Sequence, residues 1–369
     1  MKLLNLIVFF FFVGLTVLSC SKKPSDNQTP ASIKIDSFLQ TIPDFSGVIL
    51  VADKGKTTYH KAFGFRNLEK NIPTDTTDIF ELASLSKQFT AMIIMMLHEN
   101  GELGYDDSLS AYLPELPYHG ITIRHLLTHT SGLPDYQEVM DKHWDKSRIA
   151  GNNDNIAFLI RYHPPVLFEA GARYEYSNTG YMLLASIAEK ISGADFIALC
   201  RTRIFSPLNM KSTDIRTAEE KKKVVNFALG YIFVPEKHRY VSADSFPEFN
   251  YAIWLGNRKG PGRISSSSLD LLKWDQALYN EGLVKQSTLS EAYLPMKSNT
   301  GRFSNYGFGW ELHRDNVLGK IVSHTGDNPG YQTEIVRYID VNKTIIMLNN
   351  NAHEKKNEIM DFLRKVIRE

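Results

Sequence analysis

Residues 84–99 read SLSKQFTAMIIMMLHE and run into Asn100-Gly101. Phe89, Met92, Ile93, Met96 and Leu97 recur at three- and four-residue spacing, so the segment predicts a helix that Asn100-Gly101 stops. At its head, Ser84 and Lys87 stand three apart and share a face. A serine is a weak nucleophile until a base takes its proton, and a lysine partly desolvated in a cleft can be that base. The helix N-terminus adds free N–H groups where negative charge would develop. A plainer reading stands beside this one, with Ser84 as a helix cap and Lys87 as a solvated side chain. The same spacing recurs at Ser19-Cys20-Ser21-Lys22, so the tetrapeptide alone decides little.

Outward from this helix the pattern changes. Gly47 to Ala52 and Thr57 to Gly64 flank Asp53-Lys54-Gly55-Lys56 and predict a β-hairpin. Helical patterns follow at 121–130, 154–162, 178–192, 194–204 and 268–280. Strands return near 320–325, 331–339 and 343–350, and Asn351 to Ile367 closes the chain as a helix. Strands at both ends with helices between imply an α+β fold. Its antiparallel sheet is built from N- and C-terminal strands and flanked by helices, a mostly helical second lobe faces it, and a cleft lies between.

Two further motifs border that cleft. Tyr176-Ser177-Asn178 opens an apolar helix (Tyr181, Leu184, Ala185, Ala188). A phenol held near an ammonium can have a lowered pKa and relay a proton, and the amide two residues on can face the same way. The alternative is a buried tyrosine and a capping asparagine. His324-Thr325-Gly326 follows an alternating run and predicts an edge strand whose glycine lets a substrate backbone come close.

Taken in order, Ser84-x-x-Lys87, Tyr176-x-Asn178 and His324-Thr325-Gly326 resemble the three signatures of the serine β-lactamase and penicillin-binding-protein superfamily. The Tyr-x-Asn form is similar to the class C β-lactamase branch, with D-aminopeptidases, D-alanyl-D-alanine carboxypeptidases and β-lactamase-fold esterases among its relatives. His125 to Leu133, Gly260 to Ser265 and Tyr306 to Trp310 carry the same likeness, which spans residues 33–369. The resemblance implies a β-lactamase/transpeptidase-like domain and a serine hydrolase that works through an acyl-enzyme on an ester or amide, without a cofactor. It also implies the roles. Ser84 would be the nucleophile and Lys87 its base, directly or through Tyr176, which protonates the leaving group. Asn178 would orient the substrate amide or Lys87. Thr325, Gly326 and Asp327 would line the substrate edge, with the backbone N–H groups of Ser84 and Asp327 as oxyanion hole.

His324 departs from the penicillin-processing members, which usually carry lysine there. A histidine is only partly charged at neutral pH, so it would bind a substrate carboxylate more weakly, or tune Tyr176. That form resembles the esterase and peptidase relatives more. Esterase, D-peptidase and β-lactamase remain open, as does a binder or sensor of cell-wall fragments that does not hydrolyse them.

Composition narrows the partners. A formal charge of +1 over 369 residues, with no basic stripe, argues against nucleic acid. Lys221-Lys222-Lys223 predicts a solvated helix face. His125 and His129 stand four apart, but no H-E-x-x-H or third ligand accompanies them, so no metal site is expected. The aromatics of 231–257 predict either a cover over the cleft or a local core. At the N-terminus, Lys2 and the apolar run Leu6 to Leu18 predict a signal peptide over 1–19. Val17-Leu18-Ser19-Cys20 resembles a bacterial lipobox, with Cys20 carrying lipid. Residues 20–32 would be a polar tether and 33–369 the hydrolase domain, exported and held at the bacterial cell envelope. The other cysteine, Cys200, lies in an apolar stretch and predicts a buried free thiol.

Overall fold

A computed structural model describes residues 29–369; the expected leader, Cys20 and most of the tether lie outside the described residues. The apolar run Gly47–Asp53 forms β1 and pairs with β2 (Lys56–Phe63) across the predicted turn. The C-terminal part supplies β3 (Glu311–Asp315), β4 (Gly319–Asn328), β5 (Tyr331–Tyr338) and β6 (Lys343–Asn349). The six form one antiparallel sheet in the order β3-β4-β5-β6-β1-β2. Gly47 lies opposite Asn349 and Asp53 opposite Lys343, so β1 is zipped along its length onto β6.

Both faces of β1 are buried, which is why its sequence is a continuous apolar run. Val48, Leu50 and Ala52 enter one core, Ile49 and Val51 the other. The second core lies under α1 (Pro30–Leu39) and the closing helix (Lys356–Val366), whose Phe38 and Phe362 stack 3.9 Å apart. The first runs without interruption into the helical part, through α2 (Lys87–Glu99), α3 (Asn178–Ser192) and α4 (Ser268–Ala277). Asp275 of α4 fastens that part to the sheet. It accepts from Arg337 Nε of β5 at 2.5 Å and from Thr344 Oγ1 of β6 at 2.9 Å, all three side chains being buried.

The architecture is the expected α+β one. Its details differ in three places. Thr29 accepts from the Ser32 amide at 3.1 Å and caps α1, so residues 30–32 of the expected tether are helix. The pattern at 121–130 yields helix only over Ile123–Leu127, because His129 turns left-handed at φ 57°. The closing helix begins at Lys356 rather than 351. The residues before it are engaged elsewhere, Asn350 Nδ2 donating to the Leu229 carbonyl and Asn351 Nδ2 to that of Asp44.

Candidate active site

Ser84 sits on a 3-10 turn, Ala83–Ser86, between the short strand Phe80–Glu81 and α2. Ala83 holds the left-handed region at φ 49°, a costly state for a residue with a Cβ, at the position before the serine. The turn is pinned from below. Leu82 donates its amide to the Ile264 carbonyl at 2.8 Å, and its own carbonyl accepts from Thr333 Oγ1 at 2.9 Å. The two serines of the tetrapeptide part company here. Ser86 is buried, and its hydroxyl accepts from the Ile264 amide at 3.1 Å. Ser84 Oγ instead lies 3.1 Å from Lys87 Nζ and lines a cavity of 210 Å³.

Lys87 is fully buried at the first position of α2. Besides Ser84, its Nζ donates to Asn178 Oδ1 and to the Pro261 carbonyl, each at 2.9 Å. Burial lowers its pKa well below the ordinary lysine value, and the Arg258 charge pushes the same way. A neutral amine suits this cage. Its two N–H groups meet two acceptors, which leaves the lone pair toward the Ser84 hydroxyl.

Asn178 opens α3, but the cap is Ser177, whose side chain accepts from the Gly180 amide at 3.2 Å. That frees the Asn178 amide for Lys87. Lys87 Nζ lies 4.6 Å from the centroid of the Tyr176 ring. Tyr176 as a whole is 41 % exposed, yet desolvation of its phenol raises the pKa, with Ser84 opposing, and does not lower it as the sequence suggested.

His324 is not where a substrate would meet it. It is 1 % exposed; its Nε2 is 2.8 Å from the Tyr306 hydroxyl and its Nδ1 2.6 Å from the Thr325 carbonyl. Both ring nitrogens are engaged inside the protein, and burial, reinforced by Lys87, lowers the pKa to about 4. The expectation of a carboxylate-binding His324 is therefore corrected: the imidazole is a neutral buried strut. Gly326 needs correction as well. A Cβ there would come within 2.2 Å of the Leu82 carbonyl and 2.3 Å of Thr333 Oγ1, so its missing side chain admits the protein's own turn. Thr325, half-buried between them on β4, gives its carbonyl to His324, while Asp327 lines the cavity.

A family model described as Beta-lactamase matches residues 35–367. The chain belongs to the Beta-lactamase family. Penicillin-binding protein 4* of Bacillus subtilis (strain 168) is 41 % identical over 315 residues, covering 85 % of this chain and 70 % of the relative. The octameric penicillin-binding protein homologue from Pyrococcus abyssi superposes with a TM-score of 0.77 at 28 % identity, over 90 % of this chain and 76 % of the other. The D-amino acid amidase of Ochrobactrum anthropi SV3 shares the fold, with a TM-score of 0.74 at 23 % identity over 92 % and 99 % of the two chains. The family is one of serine hydrolases.

In this Beta-lactamase-family chain several site residues escaped sequence reasoning. Pro261 contributes a backbone atom, which no side-chain pattern announces. Tyr306 lay in the quoted 306–310 stretch, yet nothing marked its bond to His324. Lys221 is no solvated residue: it forms an ion pair with buried Glu81 at the cavity wall. Of the 231–257 aromatics, Tyr251 lines the cavity, Tyr231 and Trp254 are buried, and Phe233 is 45 % exposed on a small hairpin. His125 and His129 serve local structure. His125 Nδ1 accepts from the Thr122 amide at 3.2 Å and His129 Nδ1 from the Ser177 amide at 3.0 Å. Cys200 is buried and free, its thiol pushed up by burial.

Proposed function

We propose that the chain is an exported, lipid-anchored serine hydrolase that forms an acyl-enzyme on Ser84 with an ester or peptide-like amide. The observation carrying this reading is the Lys87 amine, buried, depressed in pKa and 3.1 Å from Ser84 Oγ. Ser84 Oγ attacks the carbonyl carbon while its proton passes to Lys87 Nζ. The negative charge gathers on the carbonyl oxygen, facing the backbone N–H groups of Ser84 and Asp327. Tyr176, whose raised pKa keeps it protonated, donates to the departing oxygen or nitrogen and regains a proton from Lys87. Water then attacks the acyl carbon, Lys87 takes its proton, and Ser84 leaves as the hydroxyl. Export and lipid attachment at Cys20 rest on the sequence of residues 1–20.

The test is intact mass and peptide mapping after exposure to a fluorophosphonate and, separately, a penicillin. Ser84→Ala should abolish the adduct. Ser86→Ala should still label, while losing about 1–2 kcal/mol of stability as the Ile264 amide goes unpaired. Labelling that survives Ser84→Ala would overturn the reading.

A further inference from the structure

The cavity beside Ser84 is polar and small. Ser84, Asn178, Tyr251, Arg258, Arg263 and Asp327 are among the residues that line it. Tyr176, the proposed proton donor to the leaving group, is not among its lining residues. The acyl portion of a substrate attached to Ser84 therefore has this space, and the leaving group has the Tyr176 side.

The charges in the cavity do not cancel. Glu81 is paired with Lys221, and its charge also acts on Arg263 and Arg258. Burial raises the pKa of Asp327, with Gln332 and the Lys356 charge opposing. Arg263 hands its two terminal nitrogens to backbone carbonyls, those of Ala252 and Arg216 at 3.1 and 3.3 Å. Arg258 and Arg263 each keep a buried Nε without a partner, and Arg258 is the less satisfied of the two at its terminal nitrogens. Its Nη1 reaches the Tyr136 hydroxyl at a long 3.5 Å, its Nε is buried without a partner, and no carboxylate among the described residues forms an ion pair with it. A half-buried guanidinium that lines a small cavity favours a planar anion able to accept its fork of donors.

Building on the hydrolase reading, we infer that Arg258 binds a carboxylate on the acyl portion of the substrate, so that the preferred substrates are short acyl groups ending in an anion. A volume of 210 Å³ suits a dicarboxylic half-ester or half-amide, and its polar lining disfavours a fatty acyl chain. His324, occupied by Tyr306 and Thr325, has no part in this recognition.

The experiment compares p-nitrophenyl hemisuccinate with p-nitrophenyl butyrate, esters with one leaving group and acyl chains of equal length, on the wild-type protein, Arg258→Gln and Arg258→Lys. Fluorophosphonate labelling of Ser84 reports an intact nucleophile in each. The wild type should favour the hemisuccinate in kcat/KM. Arg258→Gln should reduce that ratio about tenfold or more, and Arg258→Lys should recover part of it. A wild-type ratio at or below one, or a ratio that Arg258→Gln leaves unchanged while labelling persists, would overturn the inference and leave the hydrolase reading standing. Loss of labelling confined to Arg258→Gln would make Arg258 a scaffold residue and overturn it too. A wild type that neither labels nor cleaves either ester would overturn the hydrolase reading, and this inference with it.

Discussion

Lys87 and His324 are two buried bases, each with its pKa lowered by burial, and the Lys87 charge lowers that of His324 further. Burial disfavours the charged form of each, but with opposite consequences. Neutral Lys87 can accept a proton from Ser84; neutral His324 can only hold Tyr306 and the strand in place. The His324 pKa of about 4 against 6.5 in the unfolded chain makes stability depend on pH. Above pH 6.5 neither state binds the proton. As pH falls from 6.5 to about 4, the unfolded chain takes it up first, and stability on the order of 3 kcal/mol is lost. Urea midpoints measured between pH 7.5 and 4.5 should fall less steeply for His324→Gln than for the wild type; parallel slopes would remove His324 as the source. At this scale the sequence was readable where contacts are local. Ser84 and Lys87 meet because three residues make nearly one turn. Asn178 and the segment holding Arg258 and Pro261 reach the same spot from far along the chain, and only the motif pattern hinted at Asn178 and at the stretch from Gly260.

Among the elements, the 3-10 turn carrying Ser84 and strand β4 are fitted to each other through Gly326. Gly326→Ala would drive a methyl into the Leu82 carbonyl, two residues before the nucleophile. The variant should lose about 1–3 kcal/mol of stability and label with fluorophosphonate at least several-fold more slowly. Thermal melting and labelling rates read the two effects, and an unchanged labelling rate would show that the turn tolerates the shift. The elements best read from sequence were those with a strong period or a continuous apolar run, β1 and α2 above all. Strand β3, with the sequence ELHRD, has no such signal, since only Asp315 is buried, and it exists because β4 offers an edge to pair with. Helix α1 was legible in its cap, Thr29-Pro30, but a polar neighbourhood disguised it as tether.

Across the whole molecule, one apolar core joins the inner face of the sheet to the helical part, so the two lobes should not melt apart. Asp275 is the polar rivet through that junction. Asp275→Ala leaves the Arg337 guanidinium buried without its partner and should cost about 3–5 kcal/mol. Tryptophan fluorescence, reporting on Trp254, Trp274 and Trp310, and far-ultraviolet circular dichroism should still trace a single transition in both proteins. Separate midpoints would mean that the lobes are independent. The strand order has a further consequence for how the protein is made. Strand β1 pairs with β6, about three hundred residues downstream, and the turn under Ser84 waits for Thr333 and Gly326. A ribosome adding roughly 5–20 residues each second completes Ser84 long before it supplies those partners. The nascent chain thus carries its serine disarmed until the strands about 250 residues further on have been made.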